Sequence, residues 1–322
     1  MIRKTTLFLI FSFCFVFLAS IGRSGVFAAS TVRSGEISLG GAWDFTYTHS
    51  SSDEPPRIPP PEAFDVKVTV PGRWCEQRQT LEKASWWKSA EFESRLDKSM
   101  TYLLGTGWYK RTIEVPEDWQ DKAVRLTVGW AVGTIHIWLN SEHVGSYDYG
   151  VYTPYAVDLT DRLIPGEEND LVIAVDNDQK DDFAGARFFV VCAGGTAGGV
   201  TRPVTLHVAD GPGRIADLYT RCGADLEEVV WQAELDVPAL SKRAPASKLL
   251  WQVFRAGHTG NDKEVLAQGT VVLTPFSKHH RITWKARIPQ IQPWSDRHPN
   301  LYRTELRWVT DNGATWDRLW QR

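Results

Sequence analysis

Hydrophobic and polar residues alternate along most of this chain with a period of two. Val124, Leu126, Val128 and Trp130 fall on one face of a predicted strand, and Ile135, Ile137 and Leu139 on one face of the next. The runs Leu171-Val172-Ile173-Ala174-Val175 and Pro203-Val204-Thr205-Leu206-His207-Val208 read as further short strands. Clusters of Gly, Pro, Asn and Asp separate them, as in Ile164-Pro165-Gly166-Glu167. Short strands between turn signals, with no alternation of strand and helix, predict an all-β chain folded as a sandwich or jelly roll.

Gly211-Pro212-Gly213 punctuates the chain like a linker. Strand patterns resume at 214–220, 229–235, 248–254, 264–273, 280–287 and 302–309, which suits a second, immunoglobulin-like β-sandwich. Residues 76–104 break the alternation, and their Glu, Lys and Ala content predicts a helical or irregular insertion. The first domain is expected from about Ser30 to Asp210 and the second from Gly211 to residue 322. Asn140-Ser141 marks a tight turn between two strands, followed by a Tyr-rich link into Val157-Asp158-Leu159-Thr160-Asp161.

Composition adds four constraints. Arg3 and Lys4 precede an apolar run from Leu7 to Ala19, and Val26-Phe27-Ala28 offers small residues for cleavage, so residues 1–28 read as a signal peptide. That places the mature chain in a secreted or periplasmic setting, with no membrane contact after cleavage. The net charge of −3 gives no support to nucleic-acid binding, which favours basic patches. Cys75, Cys192 and Cys222 remain after cleavage in no zinc-binding pattern. One disulfide with one buried thiol, or three buried thiols, are both open. Fifteen Trp are unusual, and Trp supplies both buried area and flat faces for sugar rings.

The segments "LGGAWDF", "VPGRW", "GWYKRTIEVPEDW", "IWLNSEHVGSYDYGVYTPYAVDLTDRLIPGEENDLVIAVDN" and "GGVTRPVTL" occur in this order. Together they resemble the N-terminal sugar-binding jelly roll of glycoside hydrolase family 2, the β-galactosidase, β-glucuronidase and β-mannosidase family. "RIADLYTR" and "PWSDRHPNLYRTEL" resemble that family's immunoglobulin-like second domain. The resemblance implies a galactose-binding-like jelly roll followed by an immunoglobulin-like β-sandwich, and a β-glycoside or polysaccharide as partner. The family usually carries Asn-Gly where this chain has Asn140-Ser141.

The implied chemistry, retaining hydrolysis of a β-glycoside, needs two carboxyl groups about 5–5.5 Å apart. In the family both are glutamates of a barrel that follows the second sandwich, and the acid/base glutamate follows an asparagine. This sequence has no Asn-Glu pair and reaches Trp320-Gln321-Arg322 about where that barrel would begin. The expectation is a non-catalytic, carbohydrate-binding part of such a hydrolase, truncated or split before its barrel. A stand-alone carbohydrate-binding module, or a scaffold docking on a separately encoded barrel, are the alternatives.

Asp181-Asp182 and Glu227-Glu228 are the adjacent carboxylate pairs, and neighbours on a strand point to opposite faces, so neither pair should converge on one bond. The resemblance implies substrate contact through the loop Asp178 to Ala197, where Asp181, Asp182 and Arg187 could meet sugar hydroxyls. Arg202 is expected to pack and hydrogen-bond structurally. Trp86-Trp87 could form a stacking platform, with core packing as the plainer role. Gly194-Gly195 and Gly198-Gly199 precede a strand and lack the Lys of a phosphate loop. His279-His280 has no partner cluster in the sequence, so neither a metal nor another cofactor is called for. Trp294, Trp308, Trp316 and Trp320 are expected at an exposed apolar patch near the end of the second domain, which would make the chain prone to associate.

Overall fold

The computed structural model describes residues 32–33, 35–48, 60–88, 105–147, 153–177, 198–223, 227–238, 244–256, 264–276, 278–289 and 291–321. The expected signal peptide, Cys192, and the loop carrying Asp181, Asp182 and Arg187 lie outside the described residues. The fold is all-β, two sandwiches in sequence.

In the first sandwich one sheet has six antiparallel strands, in the order Val66–Val70, Gly41–Thr48, Thr106–Glu114, Glu168–Asp176, Thr134–Leu139, Glu142–Tyr147. The facing sheet has four, in the order Tyr155–Asp158, Val124–Val128, Val204–Val208, Glu36–Ser38. Val124, Leu126 and Val128 meet Ile135, Ile137 and Leu139 in one buried cluster, as the period-two pattern predicts. The strand ends at Val128, however, and Trp130 is only half-buried.

The uninterrupted apolar run at 171–175 has a physical reason. Leu171, Ile173 and Val175 enter the sandwich core, while Val172 and Ala174 pack on the opposite face with Trp108, Trp138 and Phe64. Both faces of that central strand are covered, so it cannot alternate. Each fully buried side chain of this size contributes about 1.5–3 kcal/mol relative to exposure.

The hairpin at 139–142 is a two-residue turn, since Leu139 pairs with Glu142. Asn140 and Ser141 both adopt positive φ, 51° and 69°. Two left-handed residues in a two-residue loop match the twist of the flanking strands. Asn140 also ties the turn to the next strand: its Nδ2 donates to Asn169 Oδ1 at 2.8 Å, and its Oδ1 accepts from the Asp170 amide at 2.8 Å. Ser141 makes no such side-chain hydrogen bond among the described residues, and it is exposed. We expect Ser141→Gly to raise stability by about 1 kcal/mol, because glycine accepts this backbone without a Cβ penalty. Thermal unfolding measures it, and an unchanged or lower midpoint would mean that Ser141 carries no strain. Beyond the turn, Tyr155 stacks on Tyr147 at 5.1 Å and its hydroxyl fills the space over Gly145, which braces the Tyr-rich link against the hairpin.

The second sandwich pairs a three-stranded sheet (Arg214–Cys222, Glu228–Val237, Lys278–Arg287) with a five-stranded one. The order of the latter is Val32–Arg33, Thr315–Gln321, Tyr302–Thr310, Ser247–Arg255, Val265–Leu273. Two features were not foreseen. The first described residues, Val32–Arg33, pair with Thr315–Gln321 of the second sandwich. The chain also makes a further strand after residue 309, because Asp311-Asn312-Gly313, with Gly313 at φ 86°, turns it back onto Tyr302–Thr310.

That strand corrects the expected tryptophan patch. Trp308 is fully buried, and Trp316 packs edge-on against it with ring centres 5.1 Å apart. Trp320 is half-buried, with the Arg303 and Arg318 guanidinium groups each 5.5 Å from its ring centre. Of the four, only Trp294 is exposed, at 61%.

Gly211-Pro212-Gly213 is a packed joint rather than a loose linker. A Cβ on Gly211 or Gly213 would lie 2.5 or 2.6 Å from Trp316 ring atoms. Asp317, fully buried in the second sandwich, accepts from the Ile215 amide at 2.6 Å and lies 3.0 Å from Nε2 of the buried His207 in the first. Arg214 donates to Asp158 of the first sandwich at 3.0 Å and to Asp236 of the second at 3.3 Å.

The expected insertion opens with three short helical turns, Cys75–Gln77, Arg78–Leu81 and Trp86–Lys88, and residues 89–104 lie outside the described residues. Cys75 and Cys222 are free and exposed, which overturns both expected arrangements, three buried thiols and one disulfide with one buried thiol.

Candidate functional site

Trp86 and Trp87 sit on the last of these turns, half-buried and packed against the first core. Trp86 is 5.0 Å from the Tyr47 ring and 5.7 Å from Trp87, centre to centre. Their rings therefore serve the packing of the insertion on the sandwich, and part of their aromatic surface is taken.

Glu227 and Glu228 are held by cations of the adjacent strand, Glu227 by Arg287 at 2.6 Å and Glu228 by Lys285 at 2.9 Å. Lys285 and Arg287 lie two residues apart on one strand, so the two carboxylates reach the same side of the sheet. Each carboxylate is thus paired with a cation, and the opposed directions expected from the sequence are not seen. His279 lies 2.8 Å from Asp236, whereas His280 stacks on Phe276 at 4.8 Å. The Arg202 side chain is exposed rather than packed, and its amide donates to the Trp130 carbonyl at 3.1 Å.

Gly198-Gly199 has a packing role. A Cβ on Gly198 would lie 2.0 Å from the Trp74 ring, and Gly199 has φ 123° with its own Cβ position 2.7 Å from the Gly72 carbonyl. Trp74 is buried beneath these glycines, and its Nε1 donates to the Tyr109 hydroxyl at 2.6 Å. Small residues here let two backbone segments close over an indole.

Each sandwich holds a cavity lined by described residues. One, of about 370 Å³, opens in the second sandwich between Tyr219, Cys222, Trp231, Ile288, Tyr302 and Gln321, and its walls are mainly apolar. The other, of about 250 Å³, lies at one end of the first sandwich and is lined by Trp119, Gln120, Asp121, Lys122, Asp161 and Pro165, among others. None of the residues lining it was picked out as a site from the sequence. The signal was topological: Tyr155–Asp158 pairs antiparallel with Val124–Val128, with Asp158 opposite Arg125. The residues just before 124 and just after 158 are therefore neighbours, which no local pattern reveals.

Residues 37–187 match the family described as glycosyl hydrolases family 2, sugar binding domain, and residues 213–322 match the family described as glycosyl hydrolases family 2. The chain belongs to glycoside hydrolase family 2. A β-glucuronidase of Formosa agariphila is similar to this family 2 chain at 26% identity over 214 residues, 62% of this chain and 21% of that protein. A β-glucuronidase of Bacteroides fragilis is 21% identical over 271 residues, 83% of this chain and 33% of that protein. The chain thus spans a third or less of the length of these relatives.

Among solved structures, the fold resembles a calcium-binding mutant of Bacteroides uniformis β-glucuronidase 2, with a TM-score of 0.63 at 18% identity. The likeness covers 90% of this chain and 32% of that one. A β-galacturonidase of Eisenbergiella tayi bound to galacturonate is similar with a TM-score of 0.60 at 18% identity, over 91% of this chain and 44% of that one.

Proposed function

We propose that this chain is a non-catalytic, carbohydrate-binding N-terminal part of a family 2 hydrolase acting on β-glycosides. The observation that carries this is coverage: the two family matches fall on a sugar-binding sandwich and the sandwich after it, within a third or less of the curated relatives' length. Ion pairing of Glu227 and Glu228 with Arg287 and Lys285 adds support, since each carboxylate is committed to a cation. Retaining hydrolysis needs one free nucleophile and one acid facing the same bond. Function in an exported setting, and sugar contact by Asp181, Asp182 and Arg187, belong to the same proposal.

The purified chain is expected not to hydrolyse aryl β-glycosides, including glucuronides. Turnover measured by release of the aryl group, if it survives rigorous purification and is lost on replacing a carboxylate of this chain, overturns the non-catalytic role.

A further inference from the structure

We infer that the strand Val265–Leu273 is an interaction edge through which two copies of this chain pair antiparallel. The five-stranded sheets of their second sandwiches then run on as one sheet, in a weak, two-fold symmetric dimer. This contact is independent of any carbohydrate binding.

Val265–Leu273 stands at one end of the five-stranded sheet. Ser247–Arg255 pairs with one side of it, and among the described residues no strand pairs with the other. Backbone N–H and C=O groups on such an outer side are a template for a further strand. Two features bound the usable stretch. The register shifts between the pairs Phe254–Val265 and Val253–Ala267, so Leu266 is a bulge and the ladder is regular from Ala267 onward. Past Leu273, the Ala244 amide donates to the Phe276 carbonyl at 2.9 Å, which closes that end. Seven residues, Ala267 to Leu273, form a regular open segment between them.

This edge lacks the protection that the others carry. Every other edge strand of the four larger sheets is short, charged, or bulged near its middle. Val32–Arg33, Glu36–Ser38 and Tyr155–Asp158 have four residues or fewer. Val66–Val70 carries Lys67, and Glu142–Tyr147 is bulged at Val144. Arg214–Cys222 carries Arg214, Asp217 and Arg221, and Lys278–Arg287 carries Lys278, Arg281, Lys285 and Arg287. From Val265 to Phe276 there is no charge, and proline enters only at Pro275, beyond the strand. Gln268, Thr270 and Val272 share one face by the period of two and are all exposed, Val272 at 71%.

The occupant that fits is the same segment of a second copy. A two-fold axis through Thr270 sets Ala267 opposite Leu273, Gln268 opposite Val272 and Gly269 opposite Val271, with the two Thr270 residues facing at the centre. No like charges meet in that arrangement, and Thr–Thr is a favourable cross-strand pair. Val272 of each copy covers its exposed surface against Gln268 of the other. Self-pairing of Lys278–Arg287 would instead set Lys278 against Arg287. Each copy offers one such edge, so the pairing closes at two. Seven residues a side fall short of the roughly 20–30 of a stable interface, so the dimer is weak and depends on concentration.

Sedimentation velocity of the full chain, from about 5 μM to about 1 mM, tests this. Reducing buffer excludes a disulfide through the exposed Cys75 or Cys222. Monomer at the low end should give way to dimer at the high end. Thr270→Lys brings two cations together on the axis and should weaken dimerisation at least about tenfold, and Thr270→Glu should do the same with two anions. Mixing these two variants sets opposite charges on the axis and should restore pairing to at least the parent strength. Val272→Lys, an edge lysine of the kind that blocks strand addition, should also weaken the dimer. Thr283→Lys, exposed on the far edge of the other sheet, should leave it unchanged. Circular dichroism verifies that each variant keeps its β fold. A monomer throughout leaves this edge to a strand of some other chain and overturns the dimer. Parent-like dimerisation in Thr270→Lys and Val272→Lys, a mixture that stays monomeric, a loss in Thr283→Lys, or assembly beyond two overturns it as well.

Discussion

Asp317→Ala should cost about 2–6 kcal/mol in urea unfolding, because it strands two buried polar groups at about 1–3 kcal/mol each. Asp317 is fully buried and sits where the two sandwiches meet, 3.0 Å from His207 Nε2 and 2.6 Å from the Ile215 amide. Truncation strands two buried polar groups and leaves a void beside Trp308 and Leu319 in the same core region. Asp317→Asn keeps an acceptor for the Ile215 amide and should lose less. The joint is also held by Arg214, bridging Asp158 and Asp236, so the sandwiches should still fold in the variant. A loss in Asp317→Ala below about 1 kcal/mol would show that the joint is held by Arg214 and by packing of Trp316 on Gly211 and Gly213 rather than by Asp317.

The second large effect is alkaline. Burial pushes the Tyr109 phenol far above its ordinary range, and the hydrogen bond from Trp74 works in the opposite direction without cancelling it. The unfolded chain loses this proton near pH 10, whereas the folded chain keeps it. Above that pH the unfolded state therefore binds fewer protons, and stability falls as pH rises. Tyr109 should contribute a slope of up to about 1.4 kcal/mol per pH unit, absent below about pH 10. Tyr109→Phe should remove this share of the slope. At neutral pH it should cost about 1–3 kcal/mol, because the buried Trp74 Nε1 loses its acceptor. Urea unfolding across the alkaline range measures both, and an unchanged alkaline slope in the variant would assign it to other groups.

The strands were legible because one sandwich face is apolar wherever the other is not, as along 124–128 and 135–139. The doubly covered strand Glu168–Asp176 was legible for the opposite reason, its continuous apolar run. Aromatic residues misled. Trp308, Trp316 and Trp320 gave no sign of inwardness, since their burial depends on a turn at 311–313 and on glycines a hundred residues earlier. Gly211 and Gly213 look like a flexible hinge in sequence and are spacers for an indole in space. The family motifs placed the sugar-binding domain, but the cavity lined by Trp119, Asp121 and Asp161 depends on strand pairing, which no linear spacing encodes.

The short strand Val32–Arg33 runs antiparallel to the last strand, with Val32 opposite Trp320 and Arg33 opposite Leu319. Both described ends of the chain thus leave the same edge of one sheet side by side. Tension applied at those ends would load the backbone bonds one after another, as a zipper is opened, instead of shearing them together. The two-residue strand would peel first and at low force, and the interlocked strands behind it would resist.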